Sequence, residues 1–243
     1  MKVKKIFAGT VAVLAGLILL TIPMSVLALD INIFKAGDAT YGGAGLTIVD
    51  NAVGFDINPS IGAMTIQAGL LSMPAIPGFK LSIDTVTSNS PGGPLTSFLS
   101  LQWNLQSTGT AGGSINITAT DSGYTFPPDG TGATLSSALQ GNIFTGGGKV
   151  SGQQFVILAN GTTVTPGLQG PFDPIGFNST LYVPFSTANP YSMQEVLNLT
   201  IKAGSGTSGS FLSETTAVPE PGILILLGIS MVGVVGLRRW WKD

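Results

Sequence analysis

Apolar and polar residues alternate one for one through the middle of this chain, and a two-residue period leaves little room for anything but strand. Leu99, Leu101, Trp103 and Leu105 alternate with Ser100, Gln102, Asn104 and Gln106. Ile115, Ile117 and Ala119 alternate with Asn116, Thr118 and Thr120, and Leu197, Leu199, Ile201 and Ala203 with Asn198, Thr200 and Lys202. Because successive side chains of a strand point to opposite faces, each segment has one dry and one wet face. Weaker candidates are Ile31 to Lys35, Leu46 to Val49, Met64 to Ala68, Lys80 to Thr87, Gln154 to Leu158 and Leu181 to Phe185. Turn clusters separate them: Tyr41 to Gly45, Ser90-Pro91-Gly92-Gly93-Pro94, Pro127-Pro128-Asp129-Gly130 and Gly146-Gly147-Gly148. Short strands punctuated in this way predict an all-β fold, an antiparallel β-sandwich over residues 29–202.

Two segments read differently. Thr134 to Gln140 reads as a helical turn, the only one in this region. Ser192-Met193-Gln194-Glu195 matches a capping box, but the strict alternation after it makes it a strand entry. Residues 203–217, with Gly204-Ser205-Gly206-Thr207-Ser208-Gly209-Ser210, read as a flexible linker. Residues 30–210 are accordingly expected to fold alone as a soluble β protein with Trp103 buried.

Composition narrows the chemistry. The chain has no Cys and no His, which removes disulfides, Ser-His-Asp and Cys-His nucleophiles and the usual zinc sites. Between residues 29 and 221 the cations are Lys35, Lys80, Lys149 and Lys202, against eleven acids. So acidic a stretch, with no basic patch, argues against a nucleic-acid partner. A glycosidase needs only two carboxylates, so Asp50, Asp56, Asp121, Asp129 and Asp173 remain formal candidates, with solvated loop acids the simpler reading. Asp50-Asn51 and Asp56-Ile57-Asn58 offer oxygens to calcium but lack EF-hand spacing. Gly42 to Gly45 and Gly146 to Lys149 lack phosphate-loop spacing and read as turns. Asn116, Asn160, Asn178 and Asn198 open Asn-x-Ser/Thr triplets of the kind that chance supplies in a Thr- and Asn-rich chain. The expectation is no catalytic residue, no metal, no cofactor and no enzyme.

Two apolar runs flank the alternating region. Lys2, Lys4 and Lys5 precede Ile6 to Leu20, Pro23 follows, and Val26 and Ala28 suit signal-peptidase cleavage. Residues 1–28 are thus expected to be a signal peptide, with the Sec translocon and signal peptidase as partners. At the other end, Val218-Pro219-Glu220-Pro221 leads into the apolar run 222–237, which Arg238, Arg239, Trp240, Trp241 and Lys242 close. Proline fixes φ and extends the residue before it, so the tetrapeptide is a stiff strip shaped for a protease cleft. As a helix the apolar run covers about 24 Å against a hydrocarbon core of roughly 30 Å, enough to span with thinning or snorkelling. Basic clusters outside both runs point both ends inward and the middle outward.

This tail resembles the PEP-CTERM sorting signal of Gram-negative bacteria, with Val218, Pro219, Glu220 and Pro221 as the sorting motif and Arg238, Arg239 and Lys242 as the basic stop cluster. The resemblance covers residues 218–243 and is silent about the cargo. It implies recognition by an exosortase, a transient membrane anchor and delivery to the cell surface or matrix. An exported structural or adhesive protein associated with exopolysaccharide is the expected cargo. The alternative is a carbohydrate-binding or glycoside-active domain delivered by the same signal. Carboxylates facing each other in an aromatic-lined cleft would favour that alternative, and flat polar faces the structural reading.

Overall fold

The computed structural model describes residues 29–35, 45–52, 55–58, 60–66, 78–93, 95–108, 110, 112–144, 147–173 and 175–218. The predicted signal peptide with Val26 and Ala28, the residues Pro219, Glu220 and Pro221, the apolar run and the basic cluster Arg238, Arg239 and Lys242 lie outside them. Among the described residues thirteen strands form two antiparallel sheets. They are β1 Asp30–Lys35, β2 Leu46–Val49, β3 Ala63–Ile66, β4 Phe79–Ser88, β5 Thr96–Ser107, β6 Gly113–Tyr124, β7 Gly132–Ile143, β8 Gly148–Ile157, β9 Thr163–Val164, β10 Leu168–Phe172, β11 Gly176–Ser186, β12 Tyr191–Ile201 and β13 Gly206–Ala217.

One sheet runs β10-β8-β12-β6-β1-β2 with β9 on the flank of β8, and the other runs β11-β7-β13-β5-β4-β3. Their inner faces share one core, in which Ile31, Ile117, Leu197 and Leu199 of the first sheet meet Leu99, Leu101, Trp103, Leu105 and Phe211 of the second. The alternation therefore does what it predicts: from Ser97 to Leu105 the odd-numbered residues of β5 are buried and the even-numbered ones face water. Trp103 is buried, as its place on the dry face of β5 requires.

Two expectations fail, both in the second sheet. Thr134 to Gln140 is not a helical turn but the body of β7, where Leu135, Ser137 and Leu139 alternate inward. The small residues Ser136, Ser137 and Ala138 blur the period that β5 shows plainly. More consequentially, residues 203–217 are not a flexible linker. Only Lys202 to Ser205 turn, with the Ser205 amide donating to the Lys202 carbonyl at 3.1 Å. Residues 206–217 are β13, which lies between β5 and β7 and pairs with both along its length. The folded unit therefore extends past residue 202, and residues 30–210 would carry less than half of a central strand.

Candidate functional site: an amide-lined furrow and the sorting junction

The outer face of the second sheet is built from the even-numbered residues of β5, β13 and β7. In register, Gln102, Ser210 and Gln140 form one cross-strand row, and Asn104, Ser208 and Asn142 the next. Long amides on β5 and β7 flank short hydroxyls on β13, so β13 becomes the floor of a furrow. Its volume is about 480 Å³, lined by Gln102, Gln140, Gly141, Asn142, Phe177, Ser208, Gly209 and Ser210. Gln140 Nε2 donates to Ser210 Oγ across it at 3.1 Å. The lining is uncharged.

The floor is held at its level by aromatic packing beneath it. A Cβ on Gly209 would sit 2.7 Å from Trp103 Cη2, and one on Gly141 2.8 Å from Phe177 Cζ. Both positions face inward and are paired with each other, so two glycines let a tryptophan and a phenylalanine lie flat against the sheet. Phe177 in turn stacks on Phe172 with ring centroids 5.1 Å apart. Farther along the same outer face, Tyr182 is 68% exposed, one residue row with Ser136, Glu214 and Phe98.

Behind this face runs a seam of buried polar side chains that the sequence reading missed. Glu195 on β12 is fully buried, and its Oε1 accepts a 2.5 Å bond from Ser213 Oγ of β13. Burial pushes the Glu195 carboxyl well above the usual carboxylate range, opposed by the Ser213 hydrogen bond. Gln154, its cross-strand neighbour on β8, is equally buried. Gln169 Nε2 crosses between the sheets to Ser137 Oγ at 2.7 Å, and Tyr191 Oη pairs with Thr215 Oγ1 at 2.6 Å. Tyr124 stacks on Tyr191 and donates to the Phe98 carbonyl at 2.9 Å. The available signal was register: Glu195 lies between the inward residues Met193 and Leu197, so a strand there had to bury it.

The acids named from sequence are mostly occupied in shaping loops. Asp56 accepts the amides of Asn51, Asn58 and Thr65, and Asp50 accepts that of Gly62. Asp129 accepts the Asn189 amide at 3.1 Å. Asp121 is buried, bonded by Ser88 Oγ and the Ser122 amide, and burial raises its pKa. Asp173 is exposed at the end of β10. None of them lines the furrow, and among the described residues no cluster of acids could hold a metal. Asn116 and Asn198 sit on the outer face of the first sheet, Asn178 on β11, and Asn160 closes a turn onto the Thr162 amide.

Of the sorting motif, Val218 alone is described. It is 45% exposed and its amide still donates to the Gly132 carbonyl at 2.9 Å. The stiff strip therefore begins where the central strand stops.

Among solved structures, the adhesin domain of Epf from Streptococcus pyogenes aligns at 10% identity, covering 78% of this chain and 58% of that one, with a TM-score of 0.36. The CBM22-1 xylan-binding domain of Xyn10C from Paenibacillus barcinonensis aligns at 11% identity over 65% of this chain and 87% of that one, with a TM-score of 0.28. The enzymatically active domain of bacteriophage CBA120 tailspike protein 4 aligns at 12% identity with a TM-score of 0.25; the match covers 58% of this chain and only 19% of the tailspike. Likenesses this weak transfer no ligand and no activity. No curated protein matches the chain. The family model for the PEP-CTERM protein-sorting motif matches residues 217–239. The chain thus carries a PEP-CTERM protein-sorting motif at its C-terminus, which implies an exported, exosortase-processed protein.

Proposed function

We propose that this is a structural or adhesive protein of the cell surface or extracellular matrix, whose β-sandwich holds a neutral, hydroxyl-rich polysaccharide along the β13 furrow. The observation that carries this reading is the furrow's lining. Gln102, Gln140 and Asn142 each offer a donor and an acceptor, Ser208 and Ser210 offer hydroxyls, and no charged group is present. Such a surface suits a ligand that is itself a run of hydroxyls, and Tyr182 adds an exposed ring for stacking on the same face. Hydrolysis would need two carboxylates about the reacting bond, and the furrow lining contains none, so binding without catalysis is the reading supported.

Delivery follows the tail. A signal peptide cleaved after Ala28 would export the chain, and the apolar run 222–237 with its basic stop at Arg238, Arg239 and Lys242 would hold the precursor across the inner membrane until an exosortase reads Val218 to Pro221. Full-length protein in mild detergent should be slowed in native gels cast with neutral glucan or xylan, and not with anionic alginate. Gln102→Ala with Gln140→Ala should weaken the retardation about tenfold, the loss expected for one or two good hydrogen bonds. Equal retardation of parent and double variant would remove the furrow as the site. For delivery, Glu220→Ala should leave export intact and block maturation, read as full-length, membrane-retained protein on immunoblots of fractionated cells. Maturation at the parent's rate would reduce the tail to an anchor.

A further inference from the structure

The strand that takes the place of the expected linker leaves almost no chain between the folded domain and the apolar run. Val218 is hydrogen-bonded to Gly132 of β7, and the apolar run begins at Gly222. Four residues of extended chain reach at most about 14 Å. The polar layer of a bilayer is itself about 6 Å thick on each side of the hydrocarbon. Centring a run of about 24 Å in a hydrocarbon core of roughly 30 Å uses about 3 Å more of the tether, so when residues 222–237 span, the end of the sandwich where β13 finishes stays within about 5 Å of the headgroups even with the strip fully stretched.

The side chains at that end fit such a position. Thr96 pairs with Thr216, so Leu95, just before β5, lies beside the last residues of β13. Leu95 is 77% exposed and Val218 45% exposed. The four lysines of the domain are all at the opposite end: Lys35 pairs with Ile115 at the start of β6, Lys80 with Gln106 and Lys149 with Thr200, and the Lys202 amide donates to the Gly147 carbonyl. Charge attraction to anionic lipid would bring the lysine end down. The tether demands the other end.

We propose that, before processing, the β-sandwich stands on the outer surface of the lipid bilayer on its β13 end, with Leu95 and Val218 in the headgroup layer and the lysine-bearing end pointing away. This rests on reading the apolar run as a membrane span and the motif as a sorting signal. The partner of this surface is the bilayer.

The chain has no cysteine, so single-cysteine variants can be labelled cleanly. Full-length Leu95→Cys and, at the other end, Ile175→Cys, which replaces a residue 83% exposed, would carry an environment-sensitive dye in phosphatidylcholine–phosphatidylglycerol vesicles. At position 95 the emission should be blue-shifted, quenched by headgroup-nitroxide lipid and several-fold less quenched by aqueous iodide than at position 175. Inserting twelve Gly and Ser residues between Ala217 and Val218 should return position 95 to full iodide quenching. Iodide quenching equal at 95 and 175 without the insertion would overturn the proposal, and protection at 95 that survives the insertion would overturn tether length as its cause. The sorting reading is tested separately: if position 95 is wet while Glu220→Ala still blocks maturation, the docking falls and the sorting stands.

Discussion

β5 and β13 are neighbours in one sheet, paired residue for residue, yet one is transparent in the sequence and the other reads as a linker. The inward residues of β5 are Ser97, Leu99, Leu101, Trp103 and Leu105, while those of β13 are Thr207, Gly209, Phe211, Ser213 and Thr215. Both sets are turned to the core, and of the β13 set all but Gly209 are buried. The difference is in how burial is satisfied. β5 is stabilised by apolar area, at roughly 1.5–3 kcal/mol for each large side chain. β13 is held by neighbours: its hydroxyls find Glu195, Tyr191 and the Asn142 carbonyl, and its glycine makes room for Trp103. A central strand flanked by two good ones can afford few apolar residues of its own.

If β13 is a core strand, cutting it must have the largest effect. The chain ended at residue 210 should fail to fold, losing Phe211 and the pairing of residues 211–217 with both neighbours, whereas the chain ended at residue 218 should fold. Cooperative urea unfolding of both fragments would show β13 to be dispensable and would break the comparison. Next in size is the contact of the two strands. Gly209→Ala brings a methyl onto the Gln140 carbonyl oxygen and to 2.7 Å from the Trp103 ring and should cost about 3 kcal/mol, the upper range for overpacking. Combining it with Trp103→Leu should recover the part of that loss that comes from the ring, while the clash with the Gln140 backbone remains. Strict additivity in denaturant titrations would mean that ring and glycine do not oppose each other.

The fold was legible wherever burial is achieved by apolar residues in strict alternation: β5, β6 and β12 stand out, and β1, β2 and β4 are recognisable. β7 was hidden by Ser136, Ser137 and Ala138, and β13 by the Gly-Ser run 204–210 followed by Phe211-Leu212, two apolar neighbours on opposite faces. Composition reports average polarity, and a buried serine bonded to a carboxyl counts there as a loop residue. The sorting motif was legible because its signal is local and its residue types are unusual together. The furrow was not, because it depends on which strands neighbour β13, and no local pattern encodes that pairing.

Glu195 offers a third, smaller test of how β13 is satisfied. Its folded-state pKa lies well above the ordinary value because of burial, so between the two values the folded protein holds a proton that the unfolded chain has released. Stability is then full below the unfolded pKa, about 4.3, and falls as pH rises toward the folded value. Asp30 and Asp121, also raised by burial, add slopes of the same sign. Glu195→Gln should keep a partner for Ser213 and flatten much of this decline, by about 1–3 kcal/mol between pH 4 and 8. Urea titrations across that range check it, and parallel slopes for parent and variant would mean that Glu195 is ionised within the fold.

The smallest effect belongs to the residue that most disguised the strand. Leu212 faces outward between Ser100 and Ala138, and it is 38% exposed. Its neighbour Phe211 is fully buried against Leu139 of β7 and Gly152 of β8, where a Cβ would meet the Phe211 ring at 2.9 Å. Leu212→Thr exchanges an exposed apolar group for a smaller, strand-favouring one and should change stability by less than about 0.5 kcal/mol. The same change at Phe211 empties a packed site and should cost about 3–5 kcal/mol. Two adjacent, similarly apolar residues would then differ severalfold in consequence, which only a strand with one inward and one outward position at 211 and 212 explains. A linker would make both changes silent, and a slipped register would exchange their effects.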